Sequence, residues 1–455
     1  MSNATPTQPI LVIGGGLAGP EAAWQIARAG FSVRLFEMRP TRNTPAHQTD
    51  SLSELVCSNS FKSEKEGSAP WLLKEELRRL DSLSMRVAAQ CRVPAGHALT
   101  VDRELFAQLM SKAIADEPLI ELVREEATAL PADGDQIVVV ASGPLTSDAL
   151  AEAIASLTGS DRLFFFDSIS PIVDAESIDL NIAFRASRWD TSIDGTDDYL
   201  NCPFNRQEYG AFYDALIEAQ QHHTHEWDNP NYFEACLPIE ELARRGRDTL
   251  RFGPMKPVGL TDPRTGRWPY AAVQLRQEDV RAGSYNLVGF QNHLKYGDQR
   301  RVLRMIPGLE NAEFLRFGQI HRNTYINAPA LLEPTMQLRS QPNVLFAGQI
   351  SGVEGYVESM ATGLMAGVNA ALLAQGLPTR TWPRRTAHGS LAAYISGANP
   401  EKYQPANITF DLLPGLPLEE AARFGRDKKA RRAHQCAIAL DALKEFLAQD
   451  VAVAS

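Results

Sequence analysis

Five cysteines, Cys57, Cys91, Cys202, Cys236 and Cys436, carry the most reactive side-chain chemistry of this chain. An odd, sparse set with no C-x-x-C argues against a disulfide framework or a zinc site. A cysteine with a special task here is therefore a nucleophile rather than a staple. Cys57 lies in Cys57-Ser58-Asn59-Ser60, a small and polar run. Such company favours an accessible thiol, while a cysteine's ordinary place is that of a small buried hydrophobe; residue types alone leave both readings open. Cys236 stands in Tyr232-Phe233-Glu234-Ala235-Cys236-Leu237-Pro238. That segment, Phe252-Gly253-Pro254-Met255-Lys256-Pro257 and Gly289 to Gly297 mix glycine, aromatics and cations without a helical or strand period, as loops around a ligand do. His222, His223 and His225 lack the spacing of a helical metal site and read as solvated. No metal is expected.

A second chemical signal is the stretch that must position a ligand. Ile10 to Ile13 is a short apolar run, as a buried parallel strand requires. It leads into Gly14-Gly15-Gly16-Leu17-Ala18-Gly19, a full G-x-G-x-x-G. Gly14 permits the tight turn, Gly16 lets the backbone approach a pyrophosphate, and Gly19 lets the next helix pack on the strand. The spacing predicts a helix from Leu17 to Ala29, with Ala22, Ala23, Ile26 and Ala27 inward and its first amides on the phosphates. Phe31 to Phe36 is the second strand, and Glu37 closes the unit where a carboxylate accepts bonds from a ribose. Strand, glycines, helix, strand and acid agree in order and spacing with a dinucleotide site.

The rest of the chain must complete and serve that site. With 455 residues it is too long for one simple core. Apolar content of 44% and charge of 22% are those of a soluble globular protein. No uninterrupted apolar run reaches the ~18 residues of a membrane span, and Met1 to Gln8 has no signal-peptide core, so a cytoplasmic protein without a membrane partner is expected. The fold class expected is α/β: a Rossmann-like FAD-binding domain of the two-dinucleotide-fold type, with an inserted α+β domain. The first part spans residues 1–163, the inserted substrate domain 164–326, and the second part with a C-terminal helix 327–455. Trp71 to Ala89 reads as one helix with Leu72, Leu73, Leu77 and Leu80 inward and Lys74, Glu75, Arg78 and Arg79 outward. Cys91 to Thr100 reads as a loop, and Asp102 as the cap of a helix through Ile114. Far from the glycine turn, Val344 to Gly348 is a strand ending in glycine. Gln349, Gly355 and Tyr356 follow, then a helix rich in Ala and Gly, whose small residues allow a close approach to the sheet or cofactor. An acid is more usual at the position of Gln349. The tail, Leu418 to Leu447, is an amphipathic helix with Gly425 as its break.

Six segments carry a resemblance: the glycine turn, the Cys57 segment, Cys91-Arg92-Val93-Pro94-Ala95-Gly96, the Cys236 segment, Phe252 to Gly259, and Gly348 to Gly363. From about Ile10 to Lys429 the chain resembles the folate- and FAD-dependent tRNA uracil-54 methyltransferases (TrmFO). That resemblance implies formation of 5-methyluridine in the T-loop of tRNA. The carbon comes from 5,10-methylenetetrahydrofolate, FAD is the cofactor, and NADH or NADPH is the ultimate reductant. Uracil C5 is a poor nucleophile until a thiolate adds at C6, and the resemblance gives this thiol work to Cys236, with Cys57 as a second thiol that protects or relays. FAD would be held by Gly14, Gly15, Gly16, Leu17, Ala18, Gly19, Glu37, Gly348, Gln349, Gly355 and Tyr356. Arg244, Arg247 and Lys256 are candidates to activate a thiol, and His293 and Lys295 to hold the pteridine or its glutamate tail. No protein partner is evident. The alternatives are the same chemistry on a ribosomal RNA uridine, the related wobble-uridine flavoproteins, and a flavin-carrying RNA-binding protein without turnover. A net charge of −10 repels phosphate on average. RNA binding then requires local positive surface: Arg244, Arg245 and Arg247; Arg300, Arg301 and Arg304; or Lys428, Lys429, Arg431 and Arg432.

Overall fold

The computed structural model describes residues 8–131, 135–159, 163–190, 198–221 and 237–454. Ile10–Ile13 lies inside a six-stranded sheet, paired in parallel with Val33–Phe36 on one side and Val138–Val140 on the other. A parallel strand covered on both faces needs apolar residues throughout, and Ile10, Val12, Ile13 and all of Val138–Val140 are buried. Across the sheet the order is Gln337–Leu338, Gln341–Phe346, Val138–Val140, Ile10–Ile13, Val33–Phe36, Ile120–Val123. Only the first pair is antiparallel. The chain thus returns to this sheet after residue 330, some 190 residues after leaving it.

The helix Ala18–Arg28 follows the glycine turn and buries the expected Ala22, Ala23, Ile26 and Ala27. It packs along the distant helix Tyr356–Ala374. The small residues of that second helix serve this contact rather than the sheet: a Cβ on Gly363 would collide with the Ala18 carbonyl, and one on Gly367 with that of Ala22. Tyr356–Ala374 is 19 residues long with mean hydropathy 1.3, enough by length and composition to cross a membrane, yet 78% of that stretch is buried, which makes it a core helix here.

A second six-stranded sheet is antiparallel throughout, in the order Phe184–Arg185, Tyr199–Phe204, Ala271–Gln277, Ser284–Leu287, Ile172–Asp174, Phe314–Arg316. Val273 and Leu275 enter a second apolar core with Leu200 and Phe204, and the alternate residues Gln274 and Arg276 face the other way, half-buried. This core draws its buried residues from Val173 to Ala312, whereas the first core uses residues up to Ile154 and from Tyr325 onward. The strands Leu163–Ser168 and Ile320–Tyr325 pair as an antiparallel ribbon where the chain passes between the two. Among the described residues four helices accompany the second sheet, Arg206–Glu218, Ile239–Arg244, Thr249–Phe252 and Tyr296–Leu303, more than a reading dominated by strands anticipates.

Three local expectations are corrected. Trp71 to Ala89 is two helices, Ala69–Arg79 and Leu83–Gln90. Asp81 takes a left-handed φ of 57° and Ser82 caps the second helix through Met85 N. The buried Glu21 carboxylate accepts from Leu83 N, Ser84 N and the hydroxyls of Ser82 and Ser84, which fixes that new start. Lys74, expected in solvent, is buried and donates to the Phe61 and Ser63 carbonyls, both at 2.8 Å. Burial pushes its ammonium down to about 8. Finally, Cys91 to Thr100 is not all loop: Ala98–Val101 is the centre of a three-stranded antiparallel sheet, paired with Arg92–Val93 on one side and Ser60–Ser63 on the other. The other elements follow expectation. Asp102 caps Arg103–Ala115, and the tail divides around Gly425 into Leu418–Ala422 and Lys428–Ala454.

Candidate active site

A cleft of about 980 Å3, counting its open mouth, lies at the carboxyl ends of the parallel strands. It is lined by the glycine turn from Gly14 to Ala18, by Glu37, and by Gly348, Gln349 and Tyr356 from the far part of the chain. These are the positions expected to hold a dinucleotide, save Gly19 and Gly355, which shape the turns behind it. Gly14 has φ 116°, and a Cβ there would collide with the Ala141 carbonyl; one on Gly19 would collide with Gly14 O. A Cβ on Gly16, by contrast, would meet no protein atom. That leaves room for a phosphate against its backbone. The helices Ala18–Arg28 and Tyr356–Ala374 both begin at the cleft with no side chain capping them, so their first amides are available to an anion. Size, open backbone and two helix starts fit a flavin dinucleotide.

Glu37 is fixed rather than loose. Its carboxylate accepts from Gly15 N at 3.0 Å and from Arg39, whose Nε lies 2.8 Å away. Arg39 also reaches Glu54 at 3.1 Å, so one buried guanidinium sits between two carboxylates. Burial alone would raise the Glu37 carboxyl, and Arg39 outweighs it and holds it below the usual value. Glu37 is thus ionised, and Gly15 N and three N–H groups of Arg39 hold both of its oxygens at the cleft wall. Gln349 lines the cleft where an acid is more usual, and its amide donates to Glu354, which stands behind the lining.

Cys57 lies on the loop that borders this cleft through Val56 and Glu54. It is half-buried, whereas Cys91, Cys202 and Cys436 are buried. Burial pushes the Cys91 and Cys436 thiols up to about 12 and raises Cys202 further, so three of the four described cysteines are poor nucleophiles. Cys57 Sγ is 3.0 Å from Tyr356 Oη. The same oxygen accepts from Cys57 N at 3.0 Å and Ser58 N at 3.2 Å.

Three arginines hold the loop on either side of the sulfur. Arg103 donates to Leu55 O and pairs with Glu278 at 2.8 Å. Arg316 donates to Val56 O at 2.9 Å and Ala46 O at 3.0 Å. Arg276, from the second sheet, donates to Ser58 Oγ and Asn59 Oδ1, both at 2.9 Å. Asn59, fully buried, completes the clamp by donating to Val101 O at 3.0 Å and Gln277 O at 2.9 Å. None of these four residues announces itself in the sequence, because each acts across 40 to 260 positions.

The remaining candidates stand on the second core and none lines the cleft. His293 is buried, its Nδ1 2.8 Å from Glu240 Oε1. Lys295 donates to Gln220 Oε1 at 3.1 Å. Arg244 pairs with Glu241, next to Glu240 on the same helix. His293, Lys295 and Arg244 therefore gather at the described ends, Gln221 and Leu237, of the segment that contains Cys236. Cys236 itself, with His222, His223 and His225, lies outside the described residues. Arg247 pairs with Asp214 at 2.7 Å over the Tyr213 ring, and Lys256 is exposed on a turn. Among the described residues, the arginines that bond the Cys57 loop are Arg103, Arg316 and Arg276, not the three cations expected to activate a thiol.

A parallel sheet whose carboxyl end opens on a glycine turn, completed by a strand and helix from far along the chain, defines an α/β protein of the FAD-binding, two-dinucleotide kind. Residues 9–378 match the family model of glucose inhibited division protein A. The solved structure of Aquifex aeolicus GidA in its form I crystal superposes with a TM-score of 0.65 at 16% identity, covering 95% of this chain and 78% of that one; this likeness is one of fold. The methylenetetrahydrofolate--tRNA-(uracil-5-)-methyltransferase TrmFO of Solibacter usitatus (strain Ellin6076) is 67% identical over 441 residues, which are 97% of this chain and 99% of that protein. The protein of the same name from Koribacter versatilis (strain Ellin345) is 62% identical over 437 residues, 96% and 97% of the two chains. The chain belongs to the TrmFO family.

Proposed function

We propose that this chain methylates C5 of a uracil in the T-loop of tRNA, using 5,10-methylenetetrahydrofolate as carbon donor, with FAD in the glycine-turn cleft and NADH or NADPH as the reductant. The observation that carries the reading is a half-exposed thiol, Cys57, clamped between three arginines and a tyrosine at the edge of a dinucleotide cleft. Bound there and reduced by NADH or NADPH, the flavin would supply the hydride that a one-carbon unit needs to become a methyl group. The chain's own groups do the rest. The glycine turn and two helix starts receive the pyrophosphate, and Glu37 receives the ribose. Cys236 is the thiol proposed for C6 of the uracil, and Cys57 the one proposed to guard or relay the one-carbon unit. His293, Lys295 and Arg244 flank the Cys236 segment and are the proposed contacts for folate or RNA.

We take residues 1–163 and 327–455 as the FAD-binding unit and 164–326 as the insertion, which the two separate apolar cores support. A cytoplasmic location follows from a tRNA substrate. The test supplies purified protein, labelled methylenetetrahydrofolate, reductant, and unmodified tRNA or ribosomal RNA. Labelled 5-methyluridine in tRNA alone is expected. Label in ribosomal RNA alone, or in neither, overturns the reading.

A further inference from the structure

Tyr356 lines the flavin cleft, and its chemistry is not exhausted by that. A tyrosine oxygen has one proton to give and two lone pairs to receive. Two backbone N–H groups, those of Cys57 and Ser58, already donate to it, at 3.0 and 3.2 Å. Amide nitrogens cannot accept, so the hydroxyl proton has to point elsewhere, and the remaining neighbour at 3.0 Å is Cys57 Sγ. Of these three neighbours only the sulfur can accept, so we assign the bond as oxygen donating and sulfur accepting. A thiolate is a far better acceptor than a thiol.

The surrounding charges act in the same direction. Arg103, Arg316 and Arg276 hold the carbonyls and side chains at Leu55, Val56, Ser58 and Asn59. Of the nearby carboxylates, Glu278 is spent on Arg103, Glu54 on Arg39, and Glu358 on Lys62. Arg316 and Arg276 donate to neutral oxygens rather than to those three acids. Burial pushes the Tyr356 hydroxyl well above the usual phenol value, and the facing Cys57 adds to this, so the oxygen keeps the proton it donates.

We propose that Tyr356 is a positioning residue that holds Cys57 as a thiolate at neutral pH, by donating its hydroxyl hydrogen bond to the sulfur. The proton lost by Cys57 goes to solvent, and no electrons move. The proposal deepens the assignment of Cys57 as a working thiol. It is tested on the sulfur itself, without tRNA or folate, so its failure and that of the methylation reading are separate events.

The experiment is the rate of alkylation of Cys57 by iodoacetamide in the FAD-loaded protein between pH 5 and 10, read peptide by peptide by mass spectrometry. The wild-type midpoint is expected below the ~8.5 of a free thiol. Tyr356→Phe keeps the ring and removes the donor, and should raise the midpoint by about one unit, which slows alkylation about tenfold at low pH. An unmoved midpoint in a folded, flavin-bearing Tyr356→Phe overturns the proposal. Because the two backbone amides also lose their acceptor in that variant, 3-fluorotyrosine placed at position 356 provides a second reading. It is a stronger donor with the same acceptor, and should lower the midpoint. A midpoint unchanged by fluorination overturns the proposal even where Tyr356→Phe does not fold.

Discussion

From Ile10 to Glu37 the cleft wall is one continuous stretch. Gly19 answers to Gly14 and Gly15 to Glu37 within that stretch, Gly14 answers to Ala141 at the end of the adjoining strand, and the carboxylate at the end bonds back to Gly15 across 22 residues. From Leu55 to Asn59 the wall is as tightly fixed, but by groups that come from everywhere else: Val101, Arg103, Arg276, Gln277, Arg316 and Tyr356. The first wall needs only local geometry, since it binds a ligand whose shape is constant. The second controls a reactive atom, and reactivity depends on charge and hydrogen bonds that no single segment supplies.

The largest effect should come from breaking the local wall. Gly16→Val puts a side chain where the pyrophosphate backbone contact is expected, and the purified variant should lack flavin absorbance even after supplementation with FAD. Retained flavin would show that this turn is not the binding surface. Next, the distributed wall: Cys57→Ala should reduce 5-methyluridine formation to near background while FAD stays bound, and Cys236→Ala should abolish it. Full turnover in either variant removes that thiol from the chemistry.

The two walls were unequally legible in the sequence. The glycine turn, its helix, its strands and Glu37 were readable because their spacing is itself the signal. Tyr356 was readable as a cofactor contact but not as the partner of Cys57, 299 positions earlier. Arg276 and Arg316 look like ordinary strand arginines, and Arg103 like the first residue of a capped helix. Lys74 was misplaced for a related reason: helical period put it with Glu75, Arg78 and Arg79, while the carbonyls that draw it inward belong to the strand after Cys57.

A smaller effect sharpens the contrast. Asn59→Ala deletes the buried amide that ties the Cys57 loop to the three-stranded sheet at Val101 and the second six-stranded sheet at Gln277, and leaves both carbonyls without that donor. A loss of about 1–3 kcal/mol is expected, seen as a fall of a few degrees in thermal midpoint, with flavin still bound; an unchanged midpoint would mean the clamp is redundant. At pH 8, iodoacetamide should label Cys57 and spare Cys91, Cys202 and Cys436, whose thiols burial keeps protonated. Equal labelling of the three buried cysteines in native protein would contradict that.

The smallest expected effect concerns Lys74. Its folded value of about 8 lies below the ~10.4 of an exposed lysine. Between those values the unfolded chain binds more protons than the folded one. Lysine 74 therefore adds stability as pH rises through this window, at up to about 1 kcal/mol per unit. Lys74→Met should flatten the rise of unfolding free energy between pH 8 and 10 relative to wild type. An identical slope in both proteins would show that Lys74 titrates as an exposed lysine.

The reach of Arg276 and Gln277 to Asn59 has a consequence for the chain as an object of evolution and engineering. Apolar cores with separate membership suggest a cassette, excisable and replaceable at the ribbon formed by Leu163–Ser168 and Ile320–Tyr325. The thiol loop forbids this. A flavin unit expressed without residues 164–326 retains every residue of the glycine turn but loses the guanidinium groups on Val56, Ser58 and Asn59 and one carbonyl that receives Asn59, so the Cys57 loop would be held only by Val101, Arg103 and Tyr356. The insertion can vary on its outer surface, but its inner edge has to change together with the loop it grips, and a transplanted insertion would need residues 55–59 carried along with it.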